Sequence, residues 1–315
     1  MTVLVTGASG FVGRALCRRA LAVGLNVRAA MRNPREAVAH LAAIEVPSLD
    51  HQTDWAMALA DCRAVVHTAA RVHVMDEVAM NPLTEFRRVN VEGTLHLAHQ
   101  AAAAGVRRFV FVSSIKVNGE STPAGDPFTA NDTPAPHDAY GISKMEAELG
   151  LRQVAIDTGM EVAIVRPPLV YGPGVKANFA SMMRVVQRGI PLPLGSITYN
   201  RRSFVALENL VDLLITCIDH PAAANQTFLV SDGEDLSTAD LLRRLGRAQG
   251  TSARLFPVPP ALLQVGANLL GKGAVAQRLL GNLQIDLSHT SNTLNWTPPL
   301  SVDEGLRRAV AGLTS

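Results

Sequence analysis

The chain has 315 residues, 48% of them hydrophobic, which is enough for a large core and roughly two domains. Its 29 basic and 27 acidic residues are interspersed and leave a net charge of only +2, and aromatic residues make up 4%; both argue against a nucleic-acid groove with stacking platforms. Cys17, Cys62 and Cys217 are odd in number and lack metal-ligand spacing, so buried reduced thiols in a reducing compartment are expected. The opening MTVLVTGASG reads as a first strand and not a signal peptide. There is no run of about 18 apolar residues; with no integral membrane segment expected, a cytoplasmic location follows.

In chain order, strand-like runs are TVLVT (2–6), NVRAAM (26–31), AVVHT (64–68), RFVFVS (108–113) and EVAIVR (161–166). Helical patterns at 11–23, 53–60, 82–104 and 138–158 separate them. Continuously apolar strands alternating with helices specify a parallel sheet covered on both faces. The expected fold is therefore α/β, a doubly wound Rossmann-type sheet with ligands at the carboxyl ends of its strands. After Arg166 the alternation breaks at PPLVYGPG, and helices are expected at 177–188, 207–220 and 237–249. This suggests a dinucleotide-binding domain over 1–166, to which a segment near 203–231 returns. A smaller substrate domain would comprise 167–202 and 232–315. The apolar stretch 258–281, interrupted by Lys272 and Arg278, reads as a buried helical pair in preference to a membrane-surface helix.

VLVTGASGFVGRAL (3–16) sets Gly7, Gly10 and Gly13 between the first strand and the first helix, with Phe11 and Val12 opening that helix. Gly7 permits a tight turn, Gly10 lets a phosphate approach the backbone, and Gly13 allows close packing of helix on strand. The helix N-terminus then offers free N–H groups to a pyrophosphate. The second strand ends Ala30-Met31-Arg32-Asn33-Pro34, without the carboxylate that takes a ribose 2′-hydroxyl. Arg32 and Arg14 are instead placed to pair with a 2′-phosphate, which favours NADP(H) and leaves NAD(H) possible. As ordinary surface charges, both arginines would carry no such preference.

Tyr140-Gly-Ile-Ser-Lys144 places a phenol and an ammonium four residues apart on one helical face. A free phenol has a pKa of about 10 and is a poor base at neutral pH, whereas a nearby ammonium favours its phenolate. Ser114 follows the strand RFVFVS and offers a hydroxyl beside that tyrosine.

Together these segments resemble the extended short-chain dehydrogenase/reductase family of sugar-nucleotide epimerases, dehydratases and ketoreductases. TGASGFVG (6–13), HTAA (67–70), VNVEGTL (89–95), YGISK (140–144), RPPLVYGPG (166–174), RRSFVALENLVD (201–212) and LNWTPPLSVDEGLRR (294–308) match its motifs in order over nearly the whole chain. The resemblance implies Tyr140 as acid/base, Lys144 as the ribose contact that tunes it, and Ser114 as the donor to the reacting oxygen. It implies cofactor contacts from Ala69 and Pro167, and Asp50 at the adenine amino group, where a solvated loop is the competing reading. Asn90 would support a helix bend or a proton relay, or be purely structural. Asn178 and Arg202 would meet the substrate's diphosphate; Arg278 and Asp286 would meet its nucleotide, with core or surface roles as the alternative. A homodimer paired through the helices at 82–104 and 138–158 is also implied.

Two positions depart from the family's pattern: Asn118 replaces the usual aromatic before Gly119, and Ala206 stands where histidine is common. Among the other candidates, His67 reads as structural, His73 as a residue that could face substrate, and Asp76-Glu77 as a solvated turn. The family's dehydratases carry an Asp-Glu pair where this chain has Ile115-Lys116, so elimination is unsupported. SSIKVNGE (113–120) is similar to the branch that reduces UDP-4-keto-6-deoxy-N-acetylhexosamines, making an NAD(P)H-dependent 4-ketoreductase for polysaccharide precursors the leading expectation. The alternatives are an NAD-dependent UDP-sugar 4-epimerase, a small-molecule ketone reductase, and a non-catalytic NADP-binding sensor or scaffold.

Overall fold

The computed structural model describes residues 2–34, 37, 41–72 and 81–312, so the candidates His73, Asp76 and Glu77 lie outside the described residues. In chain order the first half comprises β1 (Thr2–Thr6), α1 (Phe11–Ala22), β2 (Asn26–Met31), β3 (Ala42–Glu45), α2 (Ala56–Leu59) and β4 (Cys62–His67). It continues with α3 (Pro82–Arg87), α4 (Gly93–Ala103), β5 (Arg108–Val112), α5 (Ala139–Thr158) and β6 (Glu161–Arg166). The second half holds β7 (Leu169–Tyr171), α6 (Ala177–Gln187), β8 (Phe204–Ala206), α7 (Leu207–Asp219), β9 (Gln226–Leu229) and α8 (Thr238–Ala248). The remaining helices are α9 (Pro260–Leu269), α10 (Gly273–Leu280), α11 (Ser288–Leu294) and α12 (Val302–Ala311).

Seven strands form one parallel sheet in the order β3-β2-β1-β4-β5-β6-β9. The five apolar runs are its central strands, because both of their faces are covered. One core packs α1 and α7 against one face, with Leu16, Cys17, Leu210 and Leu214 meeting Val3, Val5 and Val66. The other packs α4 and α5 on the opposite face, with Leu97, Ala101, Leu151 and Val154 meeting Leu4, Val65 and Phe109. The strand order reverses at β1 and β4, opening a crevice at their carboxyl ends. β7 and β8 form a separate two-stranded parallel sheet, over which Tyr171, Phe204, Phe179, Leu241 and Leu306 make a third core. All three cysteines are free and buried, and burial pushes Cys17 and Cys217 up to about 12, which keeps them inert as thiols.

The apolar stretch 258–281 forms the helices α9 and α10, but the expectation that the pair is buried fails: α9 buries none of its residues. Its apolar spacing serves an outward face as well as an inward one. Among the described residues, no helix is long and apolar enough to cross a membrane.

Candidate active site

The glycine turn is held by its surroundings. Gly7 has φ +65° and accepts the Gly10 N–H at 2.9 Å, and a Cβ on Gly7 would lie 2.8 Å from the Ala69 backbone. A Cβ on Gly13 would lie 2.2 Å from the Gly7 carbonyl oxygen, so α1 reaches the turn only as glycine. Beyond it lies a cavity of about 710 Å³ that Gly7, Gly10, Phe11, Val12, Gly13, Arg32 and Ala69 help to line. Its far wall is the 46–49 segment with Trp55, which no motif of its own marks; Asp50, expected there at the adenine, lies just beyond this lining. The signal was in the NVEGT motif: Gly93 backs onto the Leu49 carbonyl, 2.7 Å from where a Cβ would be. A dinucleotide's pyrophosphate fits the bare amide turn at the head of α1, and its adenosine fits the cleft floored by Met31 and Val46.

Arg32 is exposed at the cavity's rim. Arg14 is exposed outside the cavity lining, its guanidinium 3.5 Å from the Ser9 carbonyl. Asp50 closes a turn, accepting the Gln52 N–H at 2.9 Å and the Thr53 hydroxyl at 3.1 Å, and these bonds hold its carboxyl below the usual range. Pro167 is buried, and its carbonyl accepts the Ile115 N–H at 2.9 Å, which pins the turn that carries Ser114.

Tyr140 and Lys144 stand on the first turns of α5, which Asp138 caps by accepting the Gly141 N–H at 2.7 Å. Ser114 lies at the end of β5, its Oγ accepting the Lys116 N–H at 3.2 Å and hydrogen-bonding Tyr140. The three side chains therefore meet at the carboxyl edge of the sheet. Lys144 is buried, donates to the Val112 carbonyl at 2.8 Å, and sits 4.4 Å above the Phe111 ring centroid. Burial lowers its pKa to about 7, with Glu148 acting in the opposite direction. The expected lowering of the phenol by this ammonium is not what the site does: burial and the Asp138 charge push Tyr140 up to about 12, opposed only by Ser114. Burial thus opposes charge on both groups, and a further cation beside the phenol would favour its phenolate.

Behind these groups lies a network that the motifs alone did not reveal. Glu148, one turn beyond Lys144, accepts two bonds from Arg166 at 2.9 and 2.6 Å and one from the Ser113 hydroxyl at 2.5 Å. Arg166 also donates to the Asn118 side-chain oxygen at 2.9 Å, and Asn118 donates to the Thr129 carbonyl at 2.9 Å. The departure at Asn118 is thus a buried amide that completes an ion pair. The one at Ala206 has a steric reason. Its N–H is held by buried Asp232 at 2.8 Å, and its methyl faces Gly305 in α12, 3.0 Å from where a Cβ would be.

Asn90 lies in a π-helical turn, Arg88–Glu92, between α3 and α4. Its amide donates to the Ser143 hydroxyl and the Arg71 carbonyl, each at 3.0 Å, and its oxygen accepts the Arg71 N–H at 2.8 Å. It therefore ties the helix bend to α5 and the cavity wall. His67 is fully buried between the Thr6 and Thr94 hydroxyls at 2.7 and 2.9 Å; burial, aided by the Lys144 charge, depresses it to about 3. Lys116 is paired with Asp138 and Glu120.

On the substrate side, Arg202 is held through its backbone to Leu236 and through its guanidinium to the Gly281 carbonyl at 3.3 Å. Burial and the neighbouring Arg278 charge lower its pKa, so two guanidiniums converge there. Ile115, next to Ser114, packs with Leu229, Leu283 and Ile285, which joins the Ser114 turn to this side. Asn178 is exposed in the first turn of α6. Asp286 caps a turn by accepting the Ser288 N–H at 2.7 Å, which lowers its carboxyl.

A glycine turn at the switch point of a doubly wound sheet, beside a Ser-Tyr-Lys cluster, defines a Rossmann-type NAD(P)-dependent enzyme of the oxidoreductase and epimerase class. The profile of the NAD dependent epimerase/dehydratase family matches residues 3–231, and the chain belongs to that family. It is 50% identical to a "UDP-glucose 4-epimerase" of Vibrio cholerae, over 98% of this chain and 94% of that one. UDP-N-acetylglucosamine 4-epimerase from Bacillus cereus shares the fold with a TM-score of 0.82 at 18% identity, over 100% of both chains. UDP-glucuronic acid 4-epimerase from Bacillus cereus, in complex with NAD, does so with a TM-score of 0.78 at 20% identity, over 100% of this chain and 99% of that one.

The expectation of NADP(H) is corrected by these relatives. NAD is the nucleotide in the Bacillus cereus complex and in three further matched structures, against NADPH in one of lower TM-score, 0.73. The physical reason is visible in Arg14, which leaves only exposed Arg32 at the cavity rim instead of a paired clamp.

Proposed function

We propose that the chain is an NAD-dependent 4-epimerase of a UDP-hexose, inverting the hydroxyl at C4 without net redox change. The observation that carries this reading is the 50% identity, over 98% of the chain, to a protein named for that reaction. The 4-ketoreductase reading rests on the SSIKVNGE segment and on the NADP preference suggested by Arg32, and the NAD-bound relatives count against the second. In the structure the distinctive residues of that segment serve the Arg166 pair and the Asp138 cap rather than an open pocket.

In this reading NAD, held by the Gly7–Gly13 turn and the cavity beyond it, would supply reversible hydride acceptance at C4, and its positive charge would favour the phenolate. Tyr140 removes the proton from the C4 hydroxyl and later gives it back. Ser114 donates to the same oxygen while negative charge develops on it. Lys144 holds the nicotinamide ribose. Arg202 and Arg278 bind the diphosphate end of the nucleotide, with Asn178 of α6 as a further polar contact to it, and so leave the sugar free to present either face. Ile115-Lys116 supplies no acid/base pair for elimination.

The test is incubation of the purified chain with UDP-glucose and NAD, followed by NMR of the anomeric protons. Appearance of UDP-galactose without accumulation of NADH supports the reading. Net reduction of a UDP-4-keto sugar, with no interconversion of UDP-hexoses, would overturn it in favour of a reductase.

A further inference from the structure

The helix α9 faces the wrong way for a core helix. Leu262, Val265 and Leu269 are spaced three and four residues apart, which puts them on one face, and they are 62%, 56% and 83% exposed. Leu270, at 74%, and Val275 of α10, at 50%, extend the same apolar surface around the turn between the helices. Phe256, just before α9, is 45% exposed.

The charges around this surface are of one sign. From 241 to 285 the chain has no aspartate or glutamate, while Arg254, in the segment leading to α9, and Lys272, in the turn after it, are exposed. Gly189 abuts the Arg254 guanidinium, which brings the exposed Arg188 and Ile190 to the same edge. Arg188, Arg254 and Lys272 take part in none of the described ion pairs. An apolar stripe with a cationic rim and no acid complements a sheet of anionic headgroups over hydrocarbon.

We propose that the α9–α10 face is a peripheral docking surface for a bilayer containing anionic phospholipid. The helix α9 lies flat in the headgroup layer with Leu262, Val265 and Leu269 inserted, while Arg254 and Lys272 meet lipid phosphates. A second copy of the chain fits less well. Two-fold pairing sets the same patch against itself, and each cation would meet cations with no carboxylate in this stretch to answer them. The attachment is interfacial, since α9 has 10 residues and spans roughly 15 Å.

The experiment is co-sedimentation of the full chain with vesicles of phosphatidylcholine plus phosphatidylglycerol, and with phosphatidylcholine alone. Binding is expected only to the anionic vesicles and falls as salt is raised. Leu262→Glu and Leu269→Glu should each lower partitioning about tenfold, and Lys272→Ala about fivefold. These side chains already face solvent, so the melting temperature and NAD binding should stay at the parent's values. Three results overturn the proposal: no binding to anionic vesicles, equal binding to neutral ones, or full binding by both glutamate variants. A dimer that Leu269→Glu dissociates, in a chain that ignores vesicles, would assign the face to a second copy instead.

Discussion

Replacing Glu148 by glutamine probes the ion pair beneath the catalytic helix. Glu148 and Arg166 are 3% and 2% exposed, and the carboxylate receives three hydrogen bonds, two from the guanidinium and one from Ser113. The amide keeps one acceptor oxygen but turns an NH2 toward a guanidinium that can only donate. Breaking one side of a buried pair costs about 3–5 kcal/mol, because the remaining charge is stranded. The retained oxygen puts Glu148→Gln near the lower end, about 3 kcal/mol. Loss of the carboxylate also removes the charge that raises Lys144, so the lysine should titrate below about 7. Urea unfolding near neutral pH measures the first effect, and the pH dependence of turnover the second. Replacing both members, Glu148→Gln with Arg166→Met, should recover part of the stability. A loss below about 1 kcal/mol in the single variant, far under the cost of stranding a buried charge, would refute the reasoning.

Tyr140→Phe should slow turnover by about 10²–10⁴-fold while leaving NAD affinity near the parent's value, as single-turnover rates beside a NAD titration would show. His67 should remain neutral in the folded protein down to about pH 3, whereas an unfolded histidine titrates at 6.5. The unfolded state therefore binds the extra proton between those values, and stability present above pH 6.5 is lost as pH falls, by roughly 2 kcal/mol at pH 5. An NMR titration placing the His67 midpoint above 5.5 contradicts this. We propose a homodimer through α4 and α5, where exposed Leu149 and Ile156 face outward; a monomer in light scattering at micromolar concentration rejects it.

The central strands were legible because a parallel sheet buries both faces, so β1, β2, β4, β5 and β6 read as apolar runs. β3 was not, since AAIE at the sheet edge is neither long nor buried. The glycine turn and the Ser114-Tyr140-Lys144 cluster could be read because close backbone approach and helical spacing demand particular residues. The Glu148–Arg166 pair could not, since no local pattern tells a helix glutamate that it will face an arginine 18 residues on, at the end of β6. The reading of 258–281 as buried failed for a related reason: hydrophobic spacing gives the apolar face of a helix and not its direction. Arg14 follows the glycine loop in sequence and lies outside the cavity lining in the structure, its guanidinium 3.5 Å from the Ser9 carbonyl.

The π-helical turn at Arg88–Glu92 sets a constraint on chain length. Such a turn carries one residue more than regular winding needs, and here that surplus lets Asn90 reach both Arg71 and Ser143. Removing one residue between 88 and 92 would restore ordinary winding with α3 and α4 in nearly the same relative orientation, but would withdraw the amide that Asn90 places between Arg71 and Ser143. Phe86, edge-on to Tyr140 with ring centroids 6.0 Å apart, would keep its side of α3, while the Ser143 hydroxyl on α5 would lose its amide donor. Substitutions on the outer face of α3 should be absorbed easily, while a deletion within 88–92 would reach the site as the loss of the Asn90 bonds. Its spacing, more than its composition, is what natural or laboratory variation must preserve.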